Sequence, residues 1–140
     1  MNLEEYSDIG LKLLCPSILR IKERTPNLYA ESQGGSSTMV LLLDPPGAVW
    51  REWRNLVRAP LGKNPMLETT ILRQGEVNLP YDGYEIVTQQ RVIATGDQSF
   101  GWAMVLSPRD KRVVWTIEDD GEFKTKKEMW TEVVRSLRVE

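Results

Sequence analysis

Between positions 83 and 117 the apolar residues recur every second position, the period of a half-buried strand. Side chains alternate across a strand. Residues 83–94 therefore set Tyr84, Ile86, Thr88, Gln90 and Val92 on one face, and Glu85, Val87, Gln89, Arg91 and Ile93 on the other. In residues 100–106, Phe100, Trp102, Met104 and Leu106 share a face, with the small Gly101 and Ala103 opposite. That contrast predicts a second element packed closely over the small side. Residues 113–117 return with Val113, Trp115 and Ile117 together. Gly96, Asp97 and Ser99 punctuate one turn and Pro108 the next. The period then changes. Met129, Trp130, Val133, Val134 and Leu137 recur at helical spacing and predict a helix over 125–138. Thr125 and Glu128 have the spacing of a capping box, and Arg135 and Arg138 suit the negative pole of the helix.

The N-terminal half reads as additions to this meander. Residues 9–16 form a strand ended by Pro16, and 19–22 a second short one. Pro26 marks a turn. Strands over 28–32 and 38–43 flank Gly34, Gly35, Ser36 and Ser37 as a hairpin. The second is apolar on both faces, which places it at the sheet centre, covered twice. Asp44 followed by Pro45 and Pro46 opens a helix over 45–59 with Asp44 as its N-cap. Its stripe is Val49, Trp50, Trp53, Leu56 and Val57, with Arg51, Arg54 and Arg58 mainly off it. Residues 69–73 form a strand, Gly75 a turn, and 76–79 a short strand before a tight turn at 81–84. The fold class is α+β, a mostly antiparallel sheet flanked by two helices. Residues 1–140 make one domain, with no repeat or linker.

Composition narrows the chemistry. The chain has 140 residues, a net charge of −2 and pI about 5.3, so it carries no overall basic field for nucleic acid. There is no histidine, which removes Ser-His-Asp triads, Cys-His pairs and histidine metal sites. The single cysteine, Cys15, cannot pair within the chain and fits a reducing compartment. In its apolar run it reads as a small buried hydrophobe. The acidic start, Met1 to Glu5, is no signal peptide, and the longest apolar run, residues 39–43, is too short to cross a bilayer. The expectation is a soluble, cytoplasmic protein without membrane insertion.

Two stretches carry a family resemblance. The first is Tyr6-Ser7-Asp8-Ile9-Gly10-Leu11-Lys12-Leu13-Leu14-Cys15-Pro16; the second is Met129-Trp130-Thr131-Glu132-Val133-Val134-Arg135-Ser136-Leu137-Arg138. Together they resemble the α/β/α-sandwich superfamily of PsbP, the Ran-binding Mog proteins and DcrB-like proteins. Those chains open with a Gly-apolar-x-apolar-x-x-Pro strand and close with a helix ending in apolar-x-Ser-Leu/Phe. The resemblance implies that sandwich and non-enzymatic work: photosystem accessory subunits, GTPase-binding regulators, or chaperones that shield apolar segments of secreted effectors. It assigns no site residue here, and it leaves the subgroup open.

Candidate sites follow from the residues. Trp50 and Trp53, three apart on a short helix beside Val49 and Val57, cannot both point straight inward as easily as one can. A half-exposed Trp next to Arg54 is a common interface anchor. Gln90, mid-strand with Tyr84 on its face and Trp102 in the next strand, suggests an open sheet face or groove. The partner-binding set is therefore Trp50, Trp53, Arg54, Tyr84, Gln90 and Trp102. Residues 118–122 gather four carboxylates without calcium-loop spacing and read as a solvated loop neutralising Lys124, Lys126 and Lys127. No catalytic residue, metal or cofactor is assigned. The first reading is a non-catalytic protein-binding module, adaptor or chaperone-like, holding a partner segment on its sheet face or first-helix edge. The second is a small-molecule or lipid binder with an apolar pocket between sheet and helix; the third, an enzyme working by carboxylates alone. A homodimer through a strand edge near Gly34 is compatible with the hairpin there.

Overall fold

The structure, a computed structural model, describes residues 2–140. The elements run β1 (Leu3–Asp8), β2 (Leu11–Pro16), β3 (Leu19–Glu23), β4 (Asn27–Ser32), β5 (Thr38–Leu43), α1 (Gly47–Arg58), β6 (Leu67–Asn78), β7 (Asp82–Val92), β8 (Gln98–Leu106), β9 (Val113–Asp120), α2 (Phe123–Arg135) and β10 (Arg138–Val139). Seven strands form one antiparallel sheet in the order β3-β4-β5-β9-β8-β7-β6. A small sheet, β1-β2-β10, holds the two ends of the chain together. The α+β sandwich expected from the sequence is the observed architecture.

One face of the large sheet carries the alternating set Leu28, Ala30, Met39, Leu41, Val113, Trp115, Ile117, Phe100, Trp102, Met104 and Leu106. It packs against the stripe of α2, where Trp130, Val133, Val134 and Leu137 are buried, and against Leu11 and Leu13 of β2. Leu14 N donates to Ser136 Oγ at 2.7 Å, which fixes α2 to the small sheet. On the opposite face Val57 of α1 is buried among Ile86, Val105 and Val114. Ala103 lies under this helix, so the small-side prediction holds there. At Gly101 nothing covers the sheet: a Cβ built there meets only Thr88 Oγ1 and Ile117 O, at 3.5 and 3.9 Å. α1 thus roofs one end of the second face and leaves the other open.

Several boundaries differ from the sequence reading. The first strand is two, folded at Gly10, whose φ of +90° favours glycine. Asp44 does not cap α1; it sits at φ +51°, and Pro46 occupies the cap position without a side-chain bond. Thr125 does not cap α2 either. The helix starts at Phe123, and the Thr125 hydroxyl donates to Glu122 O at 2.8 Å. Burying Phe123 edge-on against Phe100 and Trp102 draws the helix start forward, overriding the capping-box signal. α2 also stops at Arg135, and Arg138, in β10, pairs with Lys12 of β2. Gly75 makes no turn; it pairs with Glu85 inside the continuous β6, which bulges at Leu72 instead. Strand β5 does lie in the sheet interior, between β4 and β9, but Val40 on its second face is only half-buried. The edge near Gly34 is not free, since β3 and β9 flank that hairpin; the sheet edges are β3 and β6. No helix among the described residues is long and apolar enough to cross a membrane.

Cys15 is buried in β2, and burial, aided by Glu4, pushes its thiol up to about 11. Thiolate is the reactive form. At pH 8 the folded chain will react with iodoacetamide at least about a hundredfold more slowly than the chain in urea, because free cysteine has a pKa of about 8.5. Equal rates would show Cys15 to be accessible and ionised.

Candidate functional site

The helical period explains what α1 presents. Successive residues turn by about 100°. Val57 faces the sheet, so Arg54 and Arg58 fall on one flank and Leu56 about 100° round on the other. Leu56, expected in the buried stripe, is 55% exposed for this reason.

On the arginine flank lies an open groove of about 590 Å³. Trp50, Arg54 and Arg58 form its helix wall, Glu76 and Asp82 its far rim, and Tyr84 and Val105 lie between. Gly83 shapes it. A Cβ there would stand 2.0 Å from Val105 O, so only glycine lets β7 approach β8 this closely. The Arg58 guanidinium stacks 4.8 Å from the Tyr84 ring centroid, and that of Arg112 lies 5.9 Å from the Trp50 ring. Gln74 Nε2 donates to Val57 O at 2.9 Å and Ala59 O at 3.2 Å, tying the end of α1 to β6.

Beyond α1 the chain runs through residues 59–66 to the start of β6. A second open groove, about 460 Å³, lies between Leu61 to Pro65 and Leu67, Thr69 and Ile93. Leu61 and Ile93 of this groove are exposed, and Met66, 66% exposed, is tied to them by Ile93 N donating to its carbonyl at 3.2 Å; Leu56 of α1 and Ile71 and Leu72 of β6 are exposed as well. The ledge borders β6, whose outer edge has no partner strand.

The sequence-derived site residues separate in space. Trp50, Arg54 and Tyr84 meet in the first groove. Trp53 is half-buried beneath α1, against the Val57 cluster. Gln90 shares Tyr84's sheet face but lies six residues along β7, about 20 Å away at strand rise. It borders a small depression with Thr38, Gly101 and Glu118 on the uncovered end. Trp102 is corrected outright: it is 1% exposed on the opposite face. There its Nε1 donates to Glu85 Oε1 at 2.9 Å, and Arg73 stacks 5.0 Å above its ring. A side chain sealed under α2 touches no partner.

The acidic segment is corrected too. Residues 118–120 continue β9, and alternation turns Asp119 inward behind Ile117. Asp119 is 2% exposed and accepts from Ser37 Oγ (2.5 Å), Trp130 Nε1 (3.0 Å), Lys126 Nζ (3.0 Å) and the Asp120 amide (2.8 Å). Lys126 also reaches Asp120 at 2.7 Å, and that hydrogen bond holds the Asp120 carboxyl below its ordinary range. Glu85 is buried likewise, bound by Arg73 and Trp102. These inward acids are saturated by donors of the fold itself: Ser37, Trp130, Lys126 and the Asp120 amide on Asp119, and Arg73 and Trp102 on Glu85. No cluster of three or more metal-ligating side chains occurs among the described residues. Between sheet and α2 lie the buried side chains of Trp102, Trp130 and Met104, and the groove found between sheet and helix is the open one beside α1. The apolar ledge was missed because its residues come from a loop, a bulge and a strand end, which share no period.

No protein-family model and no curated protein sequence matches the chain. Solved structures do. The Saccharomyces cerevisiae Ran-binding protein Mog1p matches with a TM-score of 0.59 and 10% identity, over 99% of this chain and 96% of that one. The cyanobacterial PsbP (CyanoP) of Synechocystis sp. PCC 6803 matches with a TM-score of 0.59 and 14% identity, over 99% and 92%. At such identities the likeness speaks to fold alone. The chain has the PsbP/Mog1 α/β sandwich fold.

Proposed function

We propose that this PsbP/Mog1-fold chain is a non-catalytic protein-binding module that holds a partner segment along the edge of its first helix. The observation carrying this reading is the gathering of exposed Leu61, Met66 and Ile93 beside an unpaired strand edge, with exposed Ile71 and Leu72 farther along that strand. Contiguous exposed apolar surface of this kind marks interaction sites. An edge strand also offers backbone donors and acceptors to an incoming segment. The groove on the other flank of α1 adds half-buried aromatic and arginine side chains, the residue types that anchor interfaces. One fold neighbour is named for binding another protein, Ran, which agrees with protein binding as the class of function. The adaptor or chaperone-like role, and a cytoplasmic setting, belong to this proposal.

A photo-crosslinker placed at Leu61 in the native cell, with a second placed at Lys124 as control, tests it. Leu61 is expected to capture a discrete protein that Lys124 does not. Leu61→Asp with Ile93→Asp will weaken retention of that protein more than about tenfold, since burying each side chain contributes about 1.5–3 kcal/mol. Capture equal at both positions, or retention unchanged in the double variant, sinks the reading.

A further inference from the structure

The flank of α1 facing the groove carries arginines that form no ion pair, although two acids, Glu76 and Asp82, line the same groove. Among the described residues, the ion pairs within 4.0 Å are Lys12–Glu140, Arg73–Glu85, Arg91–Glu68, Lys126–Asp119 and Lys126–Asp120. Arg51, Arg54, Arg58 and Arg112 appear in none of them. Their guanidiniums do not lie scattered. A Cβ built on Gly47 would stand 3.0 Å from Arg112 Nη1 and 3.3 Å from Arg51 Nη1, so two like charges converge over one point. Arg58 lies 4.8 Å over the Tyr84 ring and Arg112 5.9 Å from the Trp50 ring, which keeps both guanidiniums near the groove. Gathering cations costs energy that an anion would return, and the arginine fork suits carboxylate geometry.

We infer that this groove takes an acidic peptide segment of the partner protein, its carboxylates paired with Arg54 and Arg58 in the groove and, past Trp50, with the Arg51–Arg112 pair beside it. The inference rests on the protein-binding reading and names the partner's chemistry. The occupant is a peptide and not a nucleic acid for two reasons. Glu76 and Asp82 form the far rim and repel a continuous polyanion, while spaced carboxylates can be turned toward the helix wall. Between them the half-buried Tyr84 ring, stacked with Arg58, offers a face on which a peptide side chain between two acids can rest.

Fluorescence anisotropy on the full chain tests this with a short labelled peptide of glutamates around a leucine. Its twin with glutamines in place of the glutamates is the control. The glutamate peptide is expected to bind, and the glutamine twin to bind at least about tenfold more weakly. Arg54→Glu with Arg58→Glu should cause a similar loss, and salt above the physiological range should weaken binding further. Both arginines are on the surface, so a far-ultraviolet circular dichroism spectrum like that of the parent is expected. Absence of binding overturns the inference, as does equal binding of both peptides or of the variant. So does binding of a duplex oligonucleotide or of anionic phospholipid vesicles in preference to the peptide. If the peptide fails while the Leu61 crosslink persists, this inference falls and the protein-binding reading stands.

Discussion

Asp119→Ala will destabilise the fold by about 3–5 kcal/mol, the cost of removing one partner from a buried charge-bearing network. Four donors converge on this carboxylate, from Ser37, Trp130, Lys126 and the Asp120 amide. With alanine in its place the Trp130 indole N–H, on a fully buried side chain, has no acceptor and no water to replace it. Lys126 keeps Asp120, so its charge is not stranded. Asp119→Asn preserves the shape and one acceptor oxygen, and is expected to lose less than the alanine variant. Urea unfolding followed by tryptophan fluorescence gives the comparison. A loss below about 1 kcal/mol for Asp119→Ala would show that the network contributes little beyond its packing.

Trp102→Ala will cost a similar amount, about 3–5 kcal/mol, through the cavity left beneath α2. In a chain of this length each kcal/mol moves Tm by about 4 °C, so the midpoint should fall by more than about 10 °C. Trp102→Phe separates the two contributions. It fills most of the space but leaves Glu85 with Arg73 alone, and should lose about 1.5–3 kcal/mol for the charge-assisted hydrogen bond. Capture of a partner through Leu61 should be unchanged in Trp102→Phe under conditions where it is folded. A variant as stable as the parent but unable to bind would return Trp102 to the interface. Trp115 is the contrast: it is equally buried, yet its Nε1 has no partner among the described residues, so Trp115→Phe should be the mildest of the tryptophan-to-phenylalanine exchanges.

The buried acids show how far alternation alone carries. The order Val113, Trp115, Ile117 predicted one face of β9, and two further residues along it stands Asp119. Continuing the period would have turned that side chain inward; composition, four acids in five residues, argued for solvent. Burial was feasible because Lys126 and two core donors lay across the interface, seven to eighty-two positions away in sequence. The same holds for Glu85, which shares a face with Val87 by period and is buried only because Arg73 and Trp102 meet it.

What the sequence determined by itself was everything governed by local period: the strands of the meander, the buried stripe of α2, the hairpin around Gly34 and the α+β class. Each follows from where a side chain points relative to its near neighbours, and that geometry repeats within one element. Only the tertiary structure decided which of two sheet faces α1 would cover, and how much of it. It alone brought Leu61, Met66 and Ile93 together, set the unpaired Arg54 and Arg58 beside Tyr84, and sealed Trp102 away from solvent. These outcomes depend on contacts between residues far apart in the chain, whose energies no single element contains.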